Sequence, residues 1–296
     1  MSSTATPPFG RLITAMVTPF AADGSIDLAE AEKLATHLVD VQRNDALVIS
    51  GTTGEAPTTT DAEKDALLRT VVAAVGDRAA IIAGIGTFDT AHTVDLARGA
   101  AAAGADGVLV VTPYYSRPPQ DAIAAHFFTV AAATDLPAIL YDIPHRTGVP
   151  IETDTLLRLA EHPRIVAVKD AKGQPAASAR VMAETDLAYY AGDDAMLLPL
   201  MAVGGTGVVG TSTHFTGAAT AEIIAAFLSG DHAGALERFR AILPVYAGVF
   251  ATQGCMLVKA GLAARGFSPA VLRPPLLPAS PDQTAAFVAL LDTAGL

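Results

Sequence analysis

Two stretches decide how this chain is read: Ala138-Ile-Leu-Tyr141-Asp142-Ile-Pro144 and Ile165-Val-Ala-Val-Lys169-Asp170-Ala171. Each is a short apolar run that stops at turn-forming residues, and the interval between them has room for a helix. The same pattern recurs on both sides, at Leu12–Phe20, Ala46–Thr52, Ala80–Gly86, Gly107–Pro113, Ala188–Asp194 and Gly207–Thr211, which makes eight runs in all. Their spacing of roughly 20 to 35 residues is what a strand–helix–strand unit needs. The intervening stretches are rich in alanine and helical in period. In the first, Leu28, Ala31, Leu34, Ala35, Leu38 and Val39 share one face. Asp27 and Asp61 stand where N-caps are expected, and only Asp27, with Glu30 three residues on, fits a capping box. Eight consecutive alternations favour an α/β fold closed as a (β/α)8 TIM barrel over an open doubly wound sheet.

The division expected is a catalytic barrel over residues 1–214 and a C-terminal helical extension over 215–296, packed on the barrel rather than independent. Helices are expected at Ala218–Leu228, Ala233–Val249, Cys255–Ala264 and Asp282–Leu291, with Pro274, Pro275, Pro278 and Pro281 punctuating the last junction.

Composition narrows the function. The 296 residues are 51% hydrophobic and 17% charged, too apolar for a disordered chain. Thirty acidic against 19 basic residues give a net charge of −11, the wrong sign for nucleic acid. The single cysteine, Cys255, excludes an internal disulfide framework. The start lacks a basic segment followed by an apolar one, and no stretch is long and apolar enough for a membrane span. A soluble, cytoplasmic protein that binds neither nucleic acid nor membrane is the expectation.

In such a barrel, chemistry sits at the C-terminal ends of the strands. The sixth run ends in Lys169, which alternation places on the face of Ile165 and Ala167. Burial there lowers an amine's pKa, and a neutral amine is the nucleophile that forms a Schiff base with a ketone. The plainer alternative is a lysine snorkelling to solvent or pairing with Asp170. Tyr141 ends the fifth run at matching depth and could relay a proton, or be core. Ser50-Gly-Thr52-Thr53-Gly-Glu55 follows the second run and offers hydroxyls and backbone N–H groups to a carboxylate, or is an ordinary turn. Arg146 follows the fifth run and suits a second carboxylate. Gly205-Thr-Gly207-Val-Val-Gly210 matches a dinucleotide fingerprint, but its glycines run through a strand instead of opening a helix. The seven histidines have no metal-binding spacing, so neither metal nor cofactor is expected.

Gly51-Thr-Thr-Gly-Glu55, Val111-Thr-Pro-Tyr-Tyr115, Tyr141-Asp-Ile-Pro-His-Arg-Thr-Gly148, Val168-Lys-Asp-Ala171 and Gly192-Asp-Asp-Ala195 fall in order with barrel spacing. With these motifs the chain resembles the dihydrodipicolinate synthase / N-acetylneuraminate lyase family of class I aldolases, from about Phe9 to the C-terminus. The resemblance implies a lyase that condenses pyruvate with aspartate 4-semialdehyde, the committed step of diaminopimelate and lysine biosynthesis. It implies Lys169 as the Schiff-base lysine and Tyr141 as general acid/base. Thr53 and Tyr115 would complete the proton relay, Tyr115 reaching across from a neighbouring subunit. Thr52 and Thr53 would hold the pyruvate carboxylate, Arg146 the aldehyde substrate's carboxylate, and Val209 would supply a backbone carbonyl. It further implies a homotetramer built as a dimer of dimers. The alternatives are another pyruvate-dependent aldolase, acting on N-acetylneuraminate or a 2-keto-3-deoxy sugar acid, and a non-catalytic barrel that binds a keto acid.

The chain departs from the family's pattern in three places. Asp170-Ala-Lys172-Gly173 puts a second amine three residues past Lys169, which would depress the pKa of Lys169 if it lay near. Gly210 stands where the family has a serine, and Thr211-Ser-Thr-His-Phe215 after it is also atypical. Asp61, Lys64, Phe88 and His92 occupy the positions that line the regulatory lysine pocket in inhibited members. Without the family's carboxylate there, weak or absent inhibition by lysine is expected.

Overall fold

The computed structural model describes residues 7–296. The expectation about a leading segment, and the first six positions of the 1–214 unit, lie outside the described residues. All eight runs form strands: β1 (Leu12–Ala15), β2 (Ala46–Ile49), β3 (Ala80–Gly84), β4 (Gly107–Val111), β5 (Ala138–Asp142), β6 (Ile165–Asp170), β7 (Ala188–Ala191) and β8 (Gly207–Gly210). Every strand begins where its run begins. Every strand also stops short of its run's end, because the remaining residues leave the ladder to build the loops that carry the site.

The strands pair in parallel and in sequence order, and β8 returns to β1 through Ile13↔Val209, closing the barrel. Helices α1 (Leu28–Asp40), α2 (Asp61–Val75), α3 (Thr90–Ala102) and α4 (Gln120–Ala132) cross over between the first five strands. The β5–β6 connection holds a four-residue helix, α5 (Pro144–Thr147), and then α6 (Thr153–Leu159). Helices α7 (Pro175–Glu184) and α8 (Leu197–Ala202) complete the crossovers up to β8. The tail is helical as expected: α9 (Thr213–Leu228), α10 (His232–Gly248), α11 (Gly254–Ala264) and α12 (Pro281–Thr293). Helix α9 starts earlier than the sequence suggested, because Thr213, Thr216 and Gly217 are buried helical positions despite their weak helix propensity.

Alternation sorts the strand side chains into two clusters. Ile13, Val48, Ile82, Leu109, Ile139, Ala167, Tyr190 and Val209 fill the barrel interior. Leu12, Leu47, Ile81, Val108, Leu140, Val168 and Val208 face outward and pack with the helices. Each such burial removes apolar surface worth about 1.5–3 kcal/mol for a Val, Ile or Leu side chain. In β6 the alternation breaks once. A register shift between Ala138 and Ile139 turns Ile165 to the outer layer and leaves Val166 against the inner one, so Lys169 shares its face with Ala167 but not with Ile165.

The caps correct a smaller expectation. Asp27 caps α1, accepting from the Glu30 N–H. Asp61 does not cap α2; Thr60 does, in a reciprocal capping box with Glu63. Among the described residues, no helix is long and apolar enough to cross a membrane.

Candidate active site

Strand register alone brings the first two candidates together, because Tyr141 on β5 is the direct neighbour of Lys169 on β6. The Lys169 Nζ lies 4.2 Å from the centre of the Tyr141 ring, and the lysine is only 4% exposed. Burial pulls the amine from its ordinary 10.5 down to about 8. The Asp194 carboxylate opposes that pull, and the Arg146 guanidinium reinforces it. Burial pushes the Tyr141 hydroxyl up, with Arg146 and the Thr52 side chain drawing it back. Tyr141 is therefore a protonated acid beside an amine poised to lose its proton.

The Thr52–Thr53 turn follows β2, whose exit is bent by positive φ at Ser50 (59°) and again at Glu55 (55°). Three contacts fix its far end. Thr18 donates to the Gly54 carbonyl at 2.7 Å. Lys259 on α11 meets the Glu55 carboxylate at 2.5 Å, and the Arg273 N–H donates to its other oxygen at 3.0 Å. Both Lys259 and Glu55 are buried, and the Lys259 amine also sits 4.1 Å from the centre of the Phe20 ring. Thr53 reaches across the barrel mouth, its hydroxyl 3.4 Å from that of Thr211. Helix α11 and the segment after it thus hold the turn from behind.

Arg146 lies on α5, exposed, and donates to the Gln253 side chain at 3.0 Å. Its electrostatic influence on both Lys169 and Tyr141 places it at the same mouth. Val209 is fully buried on the inner face of β8. Tyr115 does not join the others within one chain. It is 94% exposed, at φ 70°, beyond β4.

Asp194, in the Gly192-Asp-Asp-Ala195 motif, has a structural part that its sequence context does not reveal. It is buried, and its carboxylate accepts from the N–H groups of Thr211 and Ser212 at 3.0 and 3.1 Å and from the Ser212 hydroxyl at 2.6 Å. It organises the β8 exit and keeps a carboxylate near the Lys169 amine. Its packing also accounts for Gly210, since a Cβ there would stand 2.6 Å from Thr213 and 2.7 Å from Asp194. His214 completes this exit, accepting from the Val17 N–H at 3.1 Å while its other nitrogen donates to the Thr211 carbonyl at 2.8 Å. Burial lowers His214 to about 4, so it stays neutral and structural. The atypical segment after β8 is thus an internally satisfied support.

Lys172 does not crowd Lys169. Its amine pairs with Asp142 at 2.8 Å and donates to the Ile151 carbonyl at 3.1 Å, and it takes no part in lowering Lys169. Three of the four regulatory positions come together around Asp61. His92 meets Asp61 at 2.9 Å, Lys64 approaches Asp61 at 3.7 Å, and exposed Phe88 stands edge-on to Tyr114 with ring centres 5.4 Å apart.

This arrangement can form an imine: a buried amine, an adjacent phenol, and hydroxyl and guanidinium groups for carboxylates. Comparison with known proteins identifies the family. The sequence pattern of the dihydrodipicolinate synthetase family matches residues 8–294. A 4-hydroxy-tetrahydrodipicolinate synthase of Cutibacterium acnes is 59% identical over 286 residues, 97% of this chain and 98% of its own length. One from Acidothermus cellulolyticus is 60% identical over 278 residues, 94% of this chain and 90% of its own. The crystal structure of DHDPS from Cyanidioschyzon merolae with lysine bound superposes with a TM-score of 0.95 at 38% identity, covering 98% of this chain and 99% of that one. The chain belongs to the dihydrodipicolinate synthetase family.

Proposed function

We propose that this chain is a lyase that condenses pyruvate with L-aspartate 4-semialdehyde to 4-hydroxy-tetrahydrodipicolinate, the committed step of diaminopimelate and lysine biosynthesis. The observation that carries the proposal is the buried Lys169 amine, brought to about 8 and laid against Tyr141. At pH 7 such an amine is free in roughly one molecule in ten, against about one in three thousand for an unperturbed lysine. The free amine attacks the pyruvate ketone while Thr52 and Thr53 hold its carboxylate. Tyr141 supplies the proton that leaves with water as the imine forms. Loss of a methyl proton gives the enamine, whose carbon attacks the aldehyde of the second substrate. Arg146 takes that substrate's carboxylate, the Val209 carbonyl lines the site, and transimination by its amine closes the ring and frees Lys169.

Tyr115 completes the relay from a second copy of the chain. Its near-complete exposure, next in sequence to Tyr114 against which the exposed Phe88 packs, supports a subunit contact at this edge. We take the working unit to be a cytoplasmic homotetramer, each subunit a barrel over 1–214 with its extension over 215–296. The names of the relatives favour the synthase over a sugar-acid aldolase, as does Arg146 followed by Thr147 and Gly148.

A coupled assay offering pyruvate with aspartate semialdehyde, N-acetylmannosamine or glyceraldehyde tests the substrate. Turnover is expected with the first alone, and preference for either sugar-type aldehyde would replace the reading. Lysine added to the same assay is expected to inhibit weakly or not at all, because the Asp61 carboxylate is already engaged by His92 and Lys64. Half-maximal inhibition at submillimolar lysine would contradict this.

A further inference from the structure

The connection that carries Arg146 leaves β5 at Asp142 and comes back to the barrel wall at Ile151. Both ends meet at one buried ion pair. Asp142 is fully buried, and one carboxylate oxygen accepts from the Ile151 N–H at 3.1 Å. The other lies 2.8 Å from the Lys172 amine, which itself donates to the Ile151 carbonyl at 3.1 Å. The N–H and C=O of Ile151 are therefore both held, one by each member of the pair.

Lys172 is in turn fixed to the end of β6. Its N–H donates to Asp170 at 2.8 Å, and the Ser178 hydroxyl donates to the other Asp170 oxygen. The Lys172 side chain is only 7% exposed, so this is an internal clamp and not a surface contact. Asp142 and Asp170 directly follow Tyr141 and Lys169 and are paired across the ladder, so alternation turns them away from the barrel interior. Lys172 is the one cation paired with this buried acidic couple among the described residues.

The segment between the clamped ends includes α5, which stops at Gly148 in the left-handed region (φ 78°). Tying both ends removes much of the conformational freedom that a loop of this length would otherwise have. What that freedom would misplace is the Arg146 guanidinium.

We propose that Lys172 is a positioning residue: with Asp142 it staples the Asp142–Ile151 loop and so aims Arg146 at the carboxylate of the aldehyde substrate. The role given to Arg146 rests on the function proposed above, whereas the staple itself does not.

The test uses the full-length enzyme with Lys172→Met, Lys172→Arg and the double variant Asp142→Asn/Lys172→Met, which neutralises the carboxylate that Lys172 pairs with. Lys172→Met is expected to raise KM for aspartate semialdehyde at least about tenfold while KM for pyruvate stays within about twofold, and Lys172→Arg to recover most of the loss. The double variant is expected to show the same split and serves if the single one does not fold. Amide hydrogen exchange reads the staple without any substrate. Residues 143–150 are expected to exchange at least about tenfold faster in Lys172→Met and in the double variant, with the β6 amides unchanged and Lys172→Arg close to wild type. Equal shifts in both KM values, an unchanged KM for the aldehyde, or exchange that rises uniformly along the chain would each overturn the proposal. Failure of wild-type protein to turn over aspartate semialdehyde would remove the substrate assignment and leave the exchange result to decide the staple.

Discussion

Lys169→Arg is expected to yield a folded protein whose turnover is at least about 10⁴-fold lower, because the substitution removes the covalent route and leaves only binding. Arginine keeps its proton even when buried and cannot supply the free pair of electrons that attacks a ketone. The argument turns on the sign of the wild-type shift. Burial lowers Lys169 to about 8, so the reactive, deprotonated fraction grows as pH rises through 8 and levels off above it. Pyruvate capture by the wild type should therefore fall roughly tenfold per unit below pH 8. The arginine variant should show no such limb. Steady-state turnover across pH 6 to 10 checks both statements, with thermal unfolding of the variant as the control for folding. Residual turnover within a hundredfold of wild type would mean that another group carries the reaction.

Lys259→Met is expected to cost about 3–5 kcal/mol of stability, the penalty for leaving a buried charge without its partner. Lys259 and Glu55 are separated by 204 residues in sequence and meet at 2.5 Å with almost no solvent contact. With the amine gone, the Glu55 carboxylate keeps the Arg273 N–H at 3.0 Å and the more distant pull of the Arg273 guanidinium but loses the cation in contact with it, in a place where water cannot take over. Burial lowers the pKa of Lys259, and the Glu55 carboxylate opposes that loss, so the amine leans on this carboxylate to keep its charge. Adding Glu55→Gln to Lys259→Met should restore much of the stability, since the lone charge is then removed. Urea midpoints for wild type, single and double variants at one protein concentration measure this. A single variant within about 1 kcal/mol of wild type, or a double variant worse than the single, would refute the account of this pair. Because Glu55 closes the Thr52–Thr53 turn, the pair also ties the helical extension to the site.

The strands were legible because their signal is local. An apolar run that starts after a polar turn and stops at Pro, Gly or Asp announces its own beginning, and all eight beginnings coincide. Lys169 was legible for a related reason, as a charge at the end of an apolar run. A charge also interrupts the apolar run Cys255-Met-Leu-Val-Lys259-Ala-Gly-Leu262, where it marks the buried lysine that pairs with Glu55.

What stayed hidden depends on contacts between distant segments. The register shift that turns Ile165 outward is a property of the β5–β6 pair, and no alternation count on one strand can reveal it. The direction of Lys172 was open for the same reason, since proximity to Lys169 in sequence says nothing about Asp142 and Ile151 on the neighbouring connection. Asp194 lay in a motif already noticed, but its role rests on where Thr211 and Ser212 fold back against it. At an overall charge of −11 an anionic substrate gains nothing from long-range steering and must be captured locally. On the proposed reading, Arg146, the Thr52–Thr53 turn and the Lys169 amine are the groups that meet the substrate carboxylates.

The most direct measurement of the central claim is borohydride reduction of the wild-type enzyme in the presence of pyruvate, followed by peptide mass mapping. A single pyruvate-derived adduct on the peptide containing Lys169 is expected, absent without pyruvate and absent from Lys169→Arg. No adduct, or one that maps to Lys172 or Lys259, would contradict the assignment of Lys169 as the Schiff-base lysine.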